Sequence, residues 1–117
     1  MLAEAYELAS KGDQSGAGDL CRTEFTKNLH PIFAVEGSDF LRLSDRKREA
    51  LELAREGVRE SVFFLGRCRF AESLALRDLG DRDGARMALI EAVANAYSNE
   101  ERFKLEWAGG VSATEYE

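Results

Sequence analysis

The chain holds a single histidine, His30, and two cysteines, Cys21 and Cys68, so the side chains that could run nucleophilic or metal chemistry are few. As a general base His30 would need a nucleophile and an orienting carboxylate held beside it, and no local pattern supplies them. Standing before Pro31 at a helix end, it reads as a surface residue or a cap at the C-terminus of the helix before it. A metal site could draw on Cys21, Glu24, His30 and Cys68. Bundles that hold two metal ions, however, use Glu-x-x-His pairs that put two ligands on one helical face, and the chain contains none. The cysteines lie far apart outside any CxxC pattern and read as reduced, buried thiols of a cytoplasmic protein. Neither a phosphate-binding loop nor a dinucleotide-binding glycine turn is present. The expectation is therefore a protein without catalytic residues, metal or cofactor.

Charge narrows the partners. The formal charge is −6. Residues 1–40 carry three basic and seven acidic side chains, residues 100–117 two and five, and the stretch between them sums to +1. Nucleic-acid binders present a basic face. Here the triplet Arg46-Lys47-Arg48, with Arg67 and Arg69, is flanked by Asp45, Glu49 and Glu72 and reads as solvated helix charge. A nucleic-acid-linked regulator is thus a rival reading, and a helical-bundle metal protein or enzyme a second. The leading expectation is a partner protein with a basic surface. Glu4 and Glu7 stand where a signal peptide needs an apolar core, and no stretch reaches the ~20 apolar residues of a membrane span.

The elements that would position these groups are helical. One proline in 117 residues leaves few helix breakers. Leu2, Ala5, Tyr6 and Ala9 form a stripe ended by Gly12; Ala17, Cys21, Phe25 and Leu29 form a second, ended by Pro31. Residues 31–43 are apolar without a clear period and read as a packed connection turning at Gly37. Ser44 with Asp45 is expected to cap a proline-free helical stretch running to Leu79, either one helix of about 35 residues and roughly 52 Å or two helices broken near Gly66, Gly57 being a second costly position. Leu79-Gly80-Asp81-Arg82-Asp83 is a tight turn into a last helix over 84–107. The predicted fold is an all-α bundle of four to five helices over residues 1–108, dominated by 45–79 packed against 84–107, with 109–117 a flexible acidic tail.

Two segments repeat Gly-Asp-x-x-Gly-Ala at a helix-to-helix turn: Gly12-Asp13-Gln14-Ser15-Gly16-Ala17 and Gly80-Asp81-Arg82-Asp83-Gly84-Ala85. With Ser73, Leu76, Leu89 and Ala92 at the matching positions, the second copy resembles a tetratricopeptide hairpin, whose period of about 34 residues fits twice between Gly12 and Gly80. The first copy retains Ala5, Leu8 and Cys21. Arg69 and Glu72 depart from the pattern at apolar positions, Tyr97 stands at the proline, and Glu24 replaces an alanine. The intervening stretch departs throughout, with Arg46 at the turn glycine and Arg55 at a core position. The resemblance implies a concave peptide-binding surface and no enzymatic activity.

Val62-Phe63-Phe64-Leu65 followed by Phe70 cannot all face one side of a helix, and Tyr97, Phe103 and Trp107 form a second aromatic set. Phe63, Phe64, Phe70, Tyr97, Phe103 and Trp107 are the predicted partner-binding residues. The functional expectation is a non-enzymatic protein-protein interaction module, an adaptor, regulator or inhibitor, that also self-associates as a homodimer.

Overall fold

A computed structural model describes residues 2–60, 65–96, 101 and 104. Among them lie six helices and no strand: α1 (Leu2–Ser10), α2 (Gln14–Asn28), α3 (Pro31–Leu43), α4 (Lys47–Arg59), α5 (Leu65–Asp78) and α6 (Arg82–Ala94). They pair as three hairpins, α1 with α2, α3 with α4 and α5 with α6, across the turns 11–13, 44–46 and 79–81.

The three turns share one hydrogen-bond pattern. The amides of Asp13, Arg46 and Asp81 donate to the carbonyls of Leu8, Leu41 and Leu76, at 2.9, 2.8 and 2.9 Å. The residue before each lies in the left-handed region: Gly12 at φ +91°, Asp45 at +64° and Gly80 at +87°. This closure satisfies carbonyls that the last helical turn leaves free, and it needs a positive φ at its centre. The left-handed positions 12, 45 and 80 are unevenly spaced, the first interval being shorter than the second. A register of strictly equal repeats therefore slides past the middle hairpin by one residue and puts Arg46, not Asp45, at the turn glycine.

The hairpins stack. α3 buries Phe33, Ala34, Val35, Gly37, Ser38, Phe40 and Leu41, because α2, α4 and α5 all pack against it. The expected connection turning at Gly37 is a helix: Gly37 and Ser38 lie on its buried face, where a missing and a polar side chain hide the period from an apolar pattern. Small residues mark the crossings. A β-carbon placed on Gly57 of α4 would lie 2.6 Å from the Ala34 Cβ and 3.1 Å from the Cys68 Sγ. The roughly 1 kcal/mol helix cost of this glycine is thereby offset by close packing of three helices.

The all-α bundle stands as predicted, and several details are corrected. The described helices number six, not four to five. Of the two alternatives for 45–79, the described residues form two helices: α4 ends at Arg59 with Glu60 as its cap, and Gly66 lies within α5. Ser44 and Asp45 close α3 instead of capping α4, whose N-cap is Arg46. Pro31 starts a helix at its first position, where its missing N–H costs nothing. Within the expected 84–107 helix, α6 ends at Ala94 with Asn95 as cap.

Candidate functional site

Of the predicted partner-binding residues only Phe70 is described. It is half-buried on α5 and packs with Ala96 against Ala92 and Val93 of α6. Phe63, Phe64, Tyr97, Phe103 and Trp107 lie outside the described residues, as do the tail 109–117 and most of the stretch before it.

The strongest surface feature among the described residues lies instead where the first helices of the hairpins meet. Tyr6 of α1 stacks edge-on against Phe40 of α3, centroids 5.5 Å apart, yet stays 48% exposed. Glu36, Phe40 and Leu43 sit at i, i+4 and i+7 of α3 and so line one stripe, with Asp39 beside them. Leu43 ends that stripe 60% exposed. Arg42 joins the stripe to α5: it approaches Asp39 Oδ1 at 3.6 Å and Asp78 Oδ2 at 3.3 Å. Burial, the neighbouring Glu36 carboxylate and the charge of Asp39 push the Tyr6 phenol up to about 12. Burial likewise raises Asp39 above the ordinary carboxylate value; Arg42 opposes the shift and Glu36 adds to it. Asp39 Oδ1 and Arg42 Nε are enclosed without a hydrogen-bond partner. In sequence Tyr6 falls on a stripe expected to be buried, and Leu43 falls in an expected connection. Taking Pro31 as a helix start would have exposed the 36-40-43 stripe.

The second helices carry a different chemistry. Glu49 of α4 accepts from Arg22 of α2 at 2.7 Å and from Arg46 Nε at 2.7 Å. Arg46 also reaches Asp19 at 2.9 Å and Ser15 Oγ at 2.8 Å. Hydrogen bonds from Arg22 and Arg46 hold the Glu49 carboxyl below the usual range. Arg46 is thus spent on internal pairing, and Lys47 pairs with Asp45 at 3.5 Å. A second network absorbs three departures from the repeat pattern. Glu72, 5% exposed, accepts from Arg55 and from Arg69, each at 2.9 Å, and Arg69 continues to Glu91 at 3.0 Å. A buried carboxylate is tolerable only when so paired. Arg55, Arg69 and Glu72 therefore fit the fold as a set, linking α4, α5 and α6.

The sequence-level chemical candidates are separated. His30 caps α3, its Nδ1 accepting from the Ile32 amide at 3.2 Å, so it caps the helix that follows it rather than the one before. Cys21 and Cys68 are buried free thiols. Burial, with Glu36 and Glu24 nearby, pushes Cys21 up to about 11, leaving a neutral and weakly reactive thiol at pH 7. Glu24 pairs with Lys27 at 3.7 Å. Among the described residues no group of three or more His, Cys, Asp or Glu side chains could hold a metal ion, and no helix is long and apolar enough to cross a membrane. A shallow cavity of about 240 Å³ lies between the ends of α2 and α4, lined by Phe25, Thr26, Leu29, Glu56, Arg59 and Glu60.

Comparison with family models, with curated proteins and with solved structures finds no match for this chain.

Proposed function

We propose that this chain is a non-enzymatic interaction module, an adaptor, regulator or inhibitor, which holds a segment of a partner protein across the first helices of its stacked hairpins. The observation that carries this reading is the pair of exposed apolar side chains Tyr6 and Leu43 flanking the half-buried Glu36 where α1 meets α3, with Arg42 and Asp78 tying α3 to α5. A large ring left half in water beside a close-packed helix is the kind of anchor that interfaces bury. The three-hairpin stack also supports the likeness to tetratricopeptide arrays, which would make the module a repeat protein whose hairpins each contribute one helix to the binding face. The two buried free thiols suit a reducing, cytoplasmic setting. The aromatic set of Phe63, Phe64, Tyr97, Phe103 and Trp107 is proposed as the surface for self-association.

Affinity capture from the native source should yield a partner that re-forms a complex when both proteins are purified. Tyr6→Ala combined with Leu43→Ser should abolish that complex without loss of helical circular dichroism. A complex of unchanged affinity would end the assignment of this face. Sedimentation of the full chain tests self-association: a monomer at all concentrations removes it.

A further inference from the structure

We infer that the segment received by the α1–α3 face is cationic, an extended stretch carrying arginine or lysine next to an apolar side chain. This rests on the interaction reading above and specifies its partner.

The stripe offers two kinds of contact within one side chain's reach. Tyr6 and Leu43 give exposed apolar surface at its two ends, 48% and 60% exposed. Glu36 and Asp39 stand between them on α3. Of the charged side chains of α1 and α3, four are acidic (Glu4, Glu7, Glu36, Asp39) and one is basic (Arg42); Glu7 pairs with Lys11 at 3.2 Å, and Glu36 and Asp39 are the acids of the stripe itself. Arg42 is already shared between Asp39 and Asp78. Burial is the main cause of the raised Tyr6 phenol and the raised Asp39 carboxyl, and the Glu36 carboxylate adds to both. An incoming guanidinium or ammonium would offset that carboxylate's charge. Such a group can lie over the tyrosine face while donating to Glu36 and to the solvent-facing edge of the Asp39 carboxylate, whose Oδ1 faces Arg42 at 3.6 Å. Its neighbour's apolar side chain can then cover Leu43. Acidic groups elsewhere are already paired: Glu49 of α4 accepts from Arg22 and Arg46, and the buried Glu72 of α5 accepts from Arg55 and Arg69.

The test uses the full chain, ¹⁵N-labelled, titrated with three peptides of one length that differ only in charge: repeats of Gly-Arg-Leu, Gly-Gln-Leu and Gly-Glu-Leu. The arginine peptide should shift amides of α1 and of residues 36–43, bind about fivefold more tightly than the glutamine peptide, and weaken as salt is raised. Glu36→Gln with Asp39→Asn should erase the preference for arginine, and Tyr6→Ala should weaken the arginine peptide about threefold. Equal binding of all three peptides at these amides would overturn the cationic inference and leave the interaction face standing. No shift at α1 and α3 with any peptide would remove both. Shifts of the arginine peptide spread equally over Asp13, Glu91 and other surface acids would reduce the effect to general charge attraction and end the inference.

Discussion

The outer two hairpin turns and the middle one reach the same geometry by different chemistry. At Gly12-Asp13 and Gly80-Asp81 a glycine takes the left-handed position without steric cost, and the aspartate then caps the next helix, accepting from Gly16 at 2.8 Å and Gly84 at 2.9 Å. At Asp45-Arg46 an aspartate carries the positive φ, and the N-cap makes no side-chain cap bond. What the middle turn lacks in local fit, Arg46 supplies by bonding Ser15 and Asp19 of the preceding hairpin and Glu49 of its own helix. Local turn chemistry and contacts between hairpins are thus interchangeable means of holding one closure. A sequence pattern defined on the first alone misses the middle unit.

That comparison can be broken or sharpened by substitution. The largest effects are expected from Gly12→Val and Gly80→Val, each lowering stability by about 2 kcal/mol in urea unfolding, because a β-branched residue is strained at a positive φ. A loss of less than about 0.5 kcal/mol at either site, the range of an ordinary surface substitution, would mean that these turns do not need their glycines.

Asp13→Ala and Asp81→Ala should each cost about 1 kcal/mol through the lost cap. Arg46→Ala should cost a comparable amount by another route, and its cost alone should shrink strongly in roughly 1 M salt, since it is lost ion pairing. A salt-independent Arg46→Ala would contradict the compensation.

Asp45→Gly should stabilise the protein by about 0.5 kcal/mol, relieving the one non-glycine closure. A destabilised variant would show that the Asp45 side chain contributes more than its backbone strain costs.

The smallest effects are in pH dependence and have opposite signs on the two sides of the stack. Asp39 titrates above its ordinary 3.8 when folded, so between those values the folded chain binds the extra proton and stability falls as pH rises. Asp39→Asn should therefore match the wild type below pH 3.8 and melt higher at neutral pH. Glu49 titrates below its ordinary 4.5, so its contribution is present above 4.5 and is lost as acid protonates the folded protein. Glu49→Gln should melt lower at neutral pH and converge with the wild type in acid. Thermal melts of both variants from acid to neutral pH decide the matter, and curves shifting in the same direction would refute the contrast between the two sides.

Much of the fold was legible wherever a helix is buried on one side or ends in recognisable turn chemistry. The α1 and α2 stripes and the stops at Gly12 and Gly80 are of this kind, since helix closure and one-sided burial act within a few residues. The site was less legible. Tyr6 has the composition of a core residue, and its exposure depends on the ring of Phe40, two helices further along the chain. Leu43 looks like part of an apolar run until the neighbours that cover Phe40 and Leu41 are in place.

The sequence by itself determined that the chain is helical, where its outer turns fall, and that acidic groups gather toward both ends. These follow from backbone preference and side-chain type, which need no distant partner. Only the tertiary structure decided that the middle stretch is a third hairpin, that Arg55, Arg69 and Glu72 complete one another, and which apolar residues remain at the surface. Pairing and exposure belong to groups brought together from separate helices, and no local pattern encodes the distance between them.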